Sequence, residues 1–133
     1  SAKFATPGVN IGLFCSTPMV ALSRNVQKKS AMAMLLTGDM ITAEKAKEIG
    51  LINDYFKPEN LTSETMILAN KIASKSSMTV AMGKAAFYIQ SELDLSAAYE
   101  YTSKVMLNNI QKEDAKEGID AFIEKRDPEW SDR

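Results

Sequence analysis

From Pro58 to Arg126 apolar side chains recur at helical spacing through four successive stretches, and that periodicity leaves few folds open. Leu61, Ile67 or Leu68, Ile72 and Ala73 fall near one face of a helix expected from about Pro58 to Ser74. Val80, Met82, Phe87 and Ile89 mark a second from about Ser77 to Glu92. A third opens at Asp94, a good N-cap, and carries a stripe of Leu95, Ala98, Tyr99, Thr102, Met106 and Ile110. The last is expected from Asp114 to about Arg126, before Pro128, with the spacing of Asp114 to Glu117 reading as a capping box. Amphipathic helices in series need something to bury against. They can pack on one another, or present their stripes to another chain as an assembly domain does.

The front of the chain is punctuated differently. Gly8, Gly12 and two prolines bracket a short apolar run, and Val9 to Cys15 reads as a short strand followed by an ordered loop. Pro18 suits the first turn of a helix whose apolar positions are Met19, Leu22 and Val26. A further helix is expected from Lys28 to Thr37, ended by Gly38 in a left-handed cap. Thr42 reads as the N-cap of a short helix from Ala43 to Ile49, stopped by Gly50, and Leu51 to Phe56 as a brief extended stretch. The expected fold class is mostly α, a short strand followed by helices, with no internal repeat, low-complexity tract or linker. Because the chain opens on Ser1-Ala2-Lys3-Phe4 without an initiator Met or a signal-peptide pattern, it is expected to enter a longer fold already in progress. A trimmed N-terminus is the plainer alternative.

Composition removes several chemistries. Histidine is absent and Cys15 is the one cysteine, so a zinc site, a Ser/His/Asp triad, a Cys/His pair and an intrachain disulfide cannot be built from this chain. Sixteen basic and seventeen acidic side chains nearly cancel, which gives no electrostatic case for nucleic acid or an anionic membrane. No apolar run approaches the roughly 20 residues that span a bilayer. The methionines Met32, Met34, Met66, Met78, Met82 and Met106 sit at helical spacings and read as filling for a core or a subunit contact. Lys84 reads as a surface charge.

Two segments are more specific than any of this. Leu36-Thr37-Gly38, Ile41, Ala43, Ala46 and Gly50-Leu51 stand in the register LTG-x-x-I-x-A-x-x-A-x-x-x-G-L. Near the end, Glu117-Gly118, Ala121-Phe122 and Lys125-Arg126 stand in the register EG-x-x-AF-x-x-KR. Both resemble the enoyl-CoA hydratase/isomerase (crotonase) family, and Ala2-Lys3-Phe4 with Pro7 resembles the end of that family's substrate-bearing strand. The resemblance covers nearly the whole chain.

It implies the C-terminal part of an α/β fold, a spiral of ββα repeats followed by a helical trimerisation region. Residues 1–56 would be the end of the spiral core and 57–133 the helical oligomerisation region. Family members bind acyl-CoA thioesters, in fatty-acid metabolism among other settings, and stabilise an enolate oxygen with two backbone N–H groups. Both of those amides belong to a half that this sequence does not contain. Hydratases add water with two glutamates. The second follows the proline of the strand equivalent to Phe4-Ala5-Thr6-Pro7, where this chain has Gly8. No Asp or Glu lies between Ser1 and Thr37 to stand in for it.

The expected function is therefore that of a CoA-thioester-binding family member, truncated and not a competent hydratase by itself. A non-catalytic helical assembly module is the competing class. No catalytic residue and no metal ligand is assigned, and no cofactor is expected beyond the CoA thioester as substrate. Gly8, Cys15 and Ser16 would border the substrate pocket, with Cys15 a buried inert thiol rather than a nucleophile, since no histidine can activate it. Gly8 also fits a simple turn requirement after Pro7. Phe122 and Lys125, at i and i+3, would meet the nucleotide end of CoA, against the alternative of a core phenylalanine and a solvated lysine. The resemblance further implies self-association as a trimer or dimer of trimers, and a bacterial cytoplasm or a mitochondrial matrix. It implies no nucleic-acid or membrane partner.

Overall fold

Prolines and glycines set the element boundaries in the first half of the chain. In a computed structural model that describes residues 2–133, Pro18 is the first residue of helix α1 (Pro18–Asn25). Helix α2 (Lys28–Thr37) ends at Gly38 with φ 66°, the left-handed cap its sequence predicts. Thr42 caps α3 (Ala43–Glu48), its hydroxyl accepting from the Lys45 N–H at 3.2 Å, and Gly50 follows with φ 79°. Two short strands, β1 (Lys3–Phe4) and β2 (Ile41–Thr42), pair antiparallel, Lys3 opposite Thr42 and Phe4 opposite Ile41. Helices α4 (Pro58–Ala73), α5 (Ser77–Gln90), α6 (Leu95–Ile110) and α7 (Glu113–Glu124) complete the chain. Ser76 and Asp94 cap α5 and α6 through bonds to Thr79 N and Ala97 N. The mostly helical class read from the sequence is the one observed.

Several local expectations change. Val9 to Cys15 is not a strand: Pro7–Ile11 forms a 3₁₀ turn and Gly12, at φ 77°, reverses the chain. Pro7 presets a helical φ, and the left-handed glycine lets the Leu13 N–H donate back to the Gly8 carbonyl at 2.9 Å. Asp114 is not the cap of α7. Lys112 holds that position without a side-chain bond, and Asp114 lies inside the first turn. The helix stops at Glu124, with Lys125 left-handed at φ 56°. Of the methionines read as filling, Met34 is buried, whereas Met32, Met66 and Met106 are exposed.

The chain divides into two compact units, one ending at Thr65 and the other spanning Met66–Arg133. The core of the first is Leu22, Val26, Ala31, Met34 and Leu35, with Cys15, Ile41, Ile49 and Leu51 packed against it. Each fully buried Leu or Met side chain stabilises by about 1.5–3 kcal/mol, so this cluster is what holds α1, α2 and the turn before them together. The second unit buries far less. Ser76, Ala86, Asp114 and Ala121 are its buried residues, and α6 buries none.

Candidate functional site

The segment before α1 is built around Gly8. Its N–H donates to the Cys15 sulfur at 3.3 Å, and its carbonyl accepts from Leu13. A Cβ at position 8 would lie 2.8 Å from Cys15 Sγ and 2.8 Å from the Leu13 carbonyl oxygen, closer than van der Waals contact allows. Cys15 is half-buried and its carbonyl accepts the Met19 N–H at the start of α1, so one residue ties the turn to the helix. Ser16 is exposed and folds back on Phe14, whose carbonyl accepts both its N–H at 2.7 Å and its hydroxyl at 3.3 Å. Gly8 and Cys15 are therefore brought together, and the Ser16 N–H and hydroxyl turn to Phe14 instead.

The other face of this segment meets the Leu-Thr-Gly turn. A Cβ on Gly38 would come within 2.9 Å of the Asn10 amide and 3.0 Å of Val9 Cγ2. Thr6 is buried, and its hydroxyl has no hydrogen-bond partner among the described residues. It lines an open cavity of about 530 Å³ with Lys3, Phe4, Leu22, Asn25 and Leu51. Among the described residues no cluster of His, Cys, Asp or Glu could hold a metal ion, and no helix is long and apolar enough to cross a membrane.

In the second unit the residues after α7 fold back on it. Asp114 Oδ1 accepts from the Ser131 N–H at 2.7 Å, the Ser131 hydroxyl at 3.0 Å and the Asp132 N–H at 3.2 Å. The Ser76 hydroxyl beside it, with the Ser131 and Asp132 donors, holds this carboxyl below its ordinary range against the opposing effect of burial. Asp132 in turn accepts from Ser77 N at 2.7 Å and Met78 N at 3.3 Å, satisfying free donors at the start of α5. Trp130 donates its indole N–H to the Ser74 carbonyl at 2.9 Å, and its ring covers Gly118, where a Cβ would lie 3.3 Å away. Arg126 forks onto Glu117 (Nη2 to Oε2, 2.9 Å), and the Glu129 N–H adds a bond at 2.8 Å. Those partners hold the Glu117 carboxyl down at about 2. This fastening was missed in the sequence. Its only local signal was the Asp-x-x-Glu spacing, which pointed to a different role.

Phe122 and Lys125 stand on this same helix end. Phe122 is 85% exposed, so within this chain it is not a core residue, and it lines a cavity of about 670 Å³ with Lys75, Val80, Asn109, Ile119 and Trp130. Lys125 is the left-handed C-cap, its N–H donating to the Phe122 carbonyl at 3.4 Å. The regular helical face that would carry both side chains ends one residue before it.

The 3₁₀ turn, the Gly38 cap seated on it, the short β1–β2 pair and the five following helices define one structural class. The chain belongs to the enoyl-CoA hydratase/isomerase family, whose description it matches over residues 1–133. It is 52% identical over 130 residues to enoyl-CoA hydratase domain-containing protein 3, mitochondrial, of Mus musculus, covering 98% of this chain and 43% of that relative. Among solved structures it superposes on an enoyl-CoA hydratase of Mycobacterium smegmatis with a TM-score of 0.92 at 48% identity, over 98% of this chain and 51% of the other. The human enoyl Coenzyme A hydratase domain-containing protein 3 gives 0.88 at 50% identity, over 97% and 51%. The chain thus spans about half the length of the relatives it matches.

Proposed function

We propose that this chain is the CoA-thioester-binding C-terminal part of an enoyl-CoA hydratase/isomerase-family protein, without hydratase competence of its own. The exposed Phe122 ring, with Lys125 three residues on at the left-handed end of the helix, carries the binding reading. A lysine held at φ 56° sits where glycine would be less strained, and a side chain kept at such a position is a reason to look for a role. An aromatic face and a cation together suit the adenine and phosphates of a nucleotide. Position 8 itself offers no carboxylate, and no Asp or Glu lies between Ser1 and Thr37 to add or remove a proton in its place. Hydration of an enoyl thioester would need groups from elsewhere. In this reading residues 1–56 close the spiral core, residues 57–133 are the helical assembly region, and the CoA thioester is substrate rather than cofactor. A mitochondrial matrix or a bacterial cytoplasm fits the named relatives.

Calorimetric titration with an acyl-CoA and with the matching acyl-pantetheine tests this reading. Acyl-CoA should bind more tightly, and Lys125→Ala should weaken it by about tenfold, the scale of one charge-assisted bond, while leaving the pantetheine thioester unaffected. An unchanged dissociation constant removes Lys125 from the site. A second reading, a helical assembly module without a ligand, is favoured by the exposed Phe87, Leu95 and Tyr99. Association on concentration with no heat on adding acyl-CoA would select it.

A further inference from the structure

We infer that Cys15 determines what position 8 can carry: its sulfur, with the Leu13 carbonyl oxygen, fills the place of a side chain there. The inference deepens the proposed function and rests on it for the identity of the pocket. Gly8 does not have a positive φ, so the requirement for glycine comes from crowding and not from backbone conformation. Two atoms crowd it, each 2.8 Å from where a Cβ would sit. One belongs to the backbone and moves only with the whole turn. The other is the end of a side chain, and the same sulfur accepts the Gly8 N–H at 3.3 Å. Cys15 thus both closes the space beside Gly8 and satisfies its donor. A thiol engaged this way, half-buried and with no histidine in the chain to take its proton, is a packing and accepting group and not a nucleophile.

The consequence for a ligand is specific. An acyl thioester lying along this turn meets sulfur and main chain where a carboxylate would otherwise project. Position 8 then contributes nothing to hydration of an α,β-unsaturated thioester bound there, and substituting glutamate at position 8 alone does not change that, because Cys15 and Leu13 leave no room for its Cβ.

The test is a double-mutant cycle in the full chain, Gly8→Ala alone and in a Cys15→Ala background, read by thermal unfolding and by the rate at which Cys15 reacts with dithiobis(nitrobenzoate). The expected result is a large fall in midpoint for Gly8→Ala and a smaller fall for the same change without the sulfur. In Gly8→Ala the displaced thiol should react about tenfold faster than in the parent chain, reactivity following exposure. If Gly8→Ala fails to fold, rescue by Cys15→Ala supports the inference. Failure in both backgrounds overturns it, since the Leu13 carbonyl would then be the whole barrier. Equal falls with an unchanged thiol rate also overturn it. Acyl-CoA titration of the unmodified chain separates the two claims: absence of binding removes the CoA reading and leaves the cycle to be judged on its own.

Discussion

A glycine is read from its neighbours as much as from its own dihedrals. Gly38 combines both demands, a φ of 66° and neighbours that would stand 2.9 Å (the Asn10 side chain) and 3.0 Å (Val9) from any Cβ placed there. Gly38→Ala should lower stability by about 1–3 kcal/mol, measured by denaturant unfolding; the left-handed backbone alone accounts for about 1–2 of that. This position was legible in the sequence because a helix stop is a local event, written in the Leu-Thr-Gly run itself. Gly8 was legible only in part. Its identity stood out against the family pattern, but the reason for it lies in Leu13 and Cys15, and no local rule announces that crowding. Lys125 shows the opposite failure. Its place on a helical face was extrapolated one residue beyond Glu124, where the backbone turns left-handed.

At the scale of elements, α7 and the residues after it form a fastening that responds to acid. The folded carboxyls of Asp114 and Glu117 lie below their ordinary values of 3.8 and 4.5, Glu117 at about 2. Groups depressed in this way contribute stability that is fully present above those ordinary values and is lost as pH falls through the folded ones. Trp130, the one tryptophan, reports on the same segment. Its fluorescence should hold steady above about pH 5 and shift as pH falls toward 2, with Glu117→Gln and Asp114→Asn already shifted at neutral pH. A flat profile in the parent chain would detach Trp130 from these carboxylates. Most helices were visible in advance because caps and apolar spacing are local. Asp114 was not, since its partner Ser131 is seventeen residues further on and nothing within a helical turn signals it. The 3₁₀ turn was misread for a related reason. Val9 to Cys15 has the apolar content of a strand, and Pro7 with Gly12 overrides it.

On the scale of the whole molecule, the second unit leaves much apolar surface in water. Leu95 is 75% exposed and Tyr99 68%, one turn apart on α6, and Phe87, Met106 and Ile123 are exposed as well. Burying a side chain of that size is worth about 1.5–3 kcal/mol, which is a strong drive to associate. Sedimentation velocity should show association that rises with concentration. Leu95→Asp with Tyr99→Glu should reduce it while leaving the thermal midpoint of the dilute chain unchanged, since neither side chain is part of the buried set. Equal association in parent and variant would place the contact elsewhere. The apolar stripes were legible from spacing. What they pack against was not, because periodicity tells which face is apolar and not what covers it.

The crowding at Gly8 also bears on ancestry. Glycine and glutamate codons can differ by a single base, so a carboxylate lost at this position would be open to immediate reversion if codons were the only constraint. With Cys15 and Leu13 closed over the turn, each such revertant would meet a misfit before it could show any benefit. In any lineage where a carboxylate once stood here its loss would then act as a ratchet, and residues 13–15 would have to be rebuilt before selection could act on position 8.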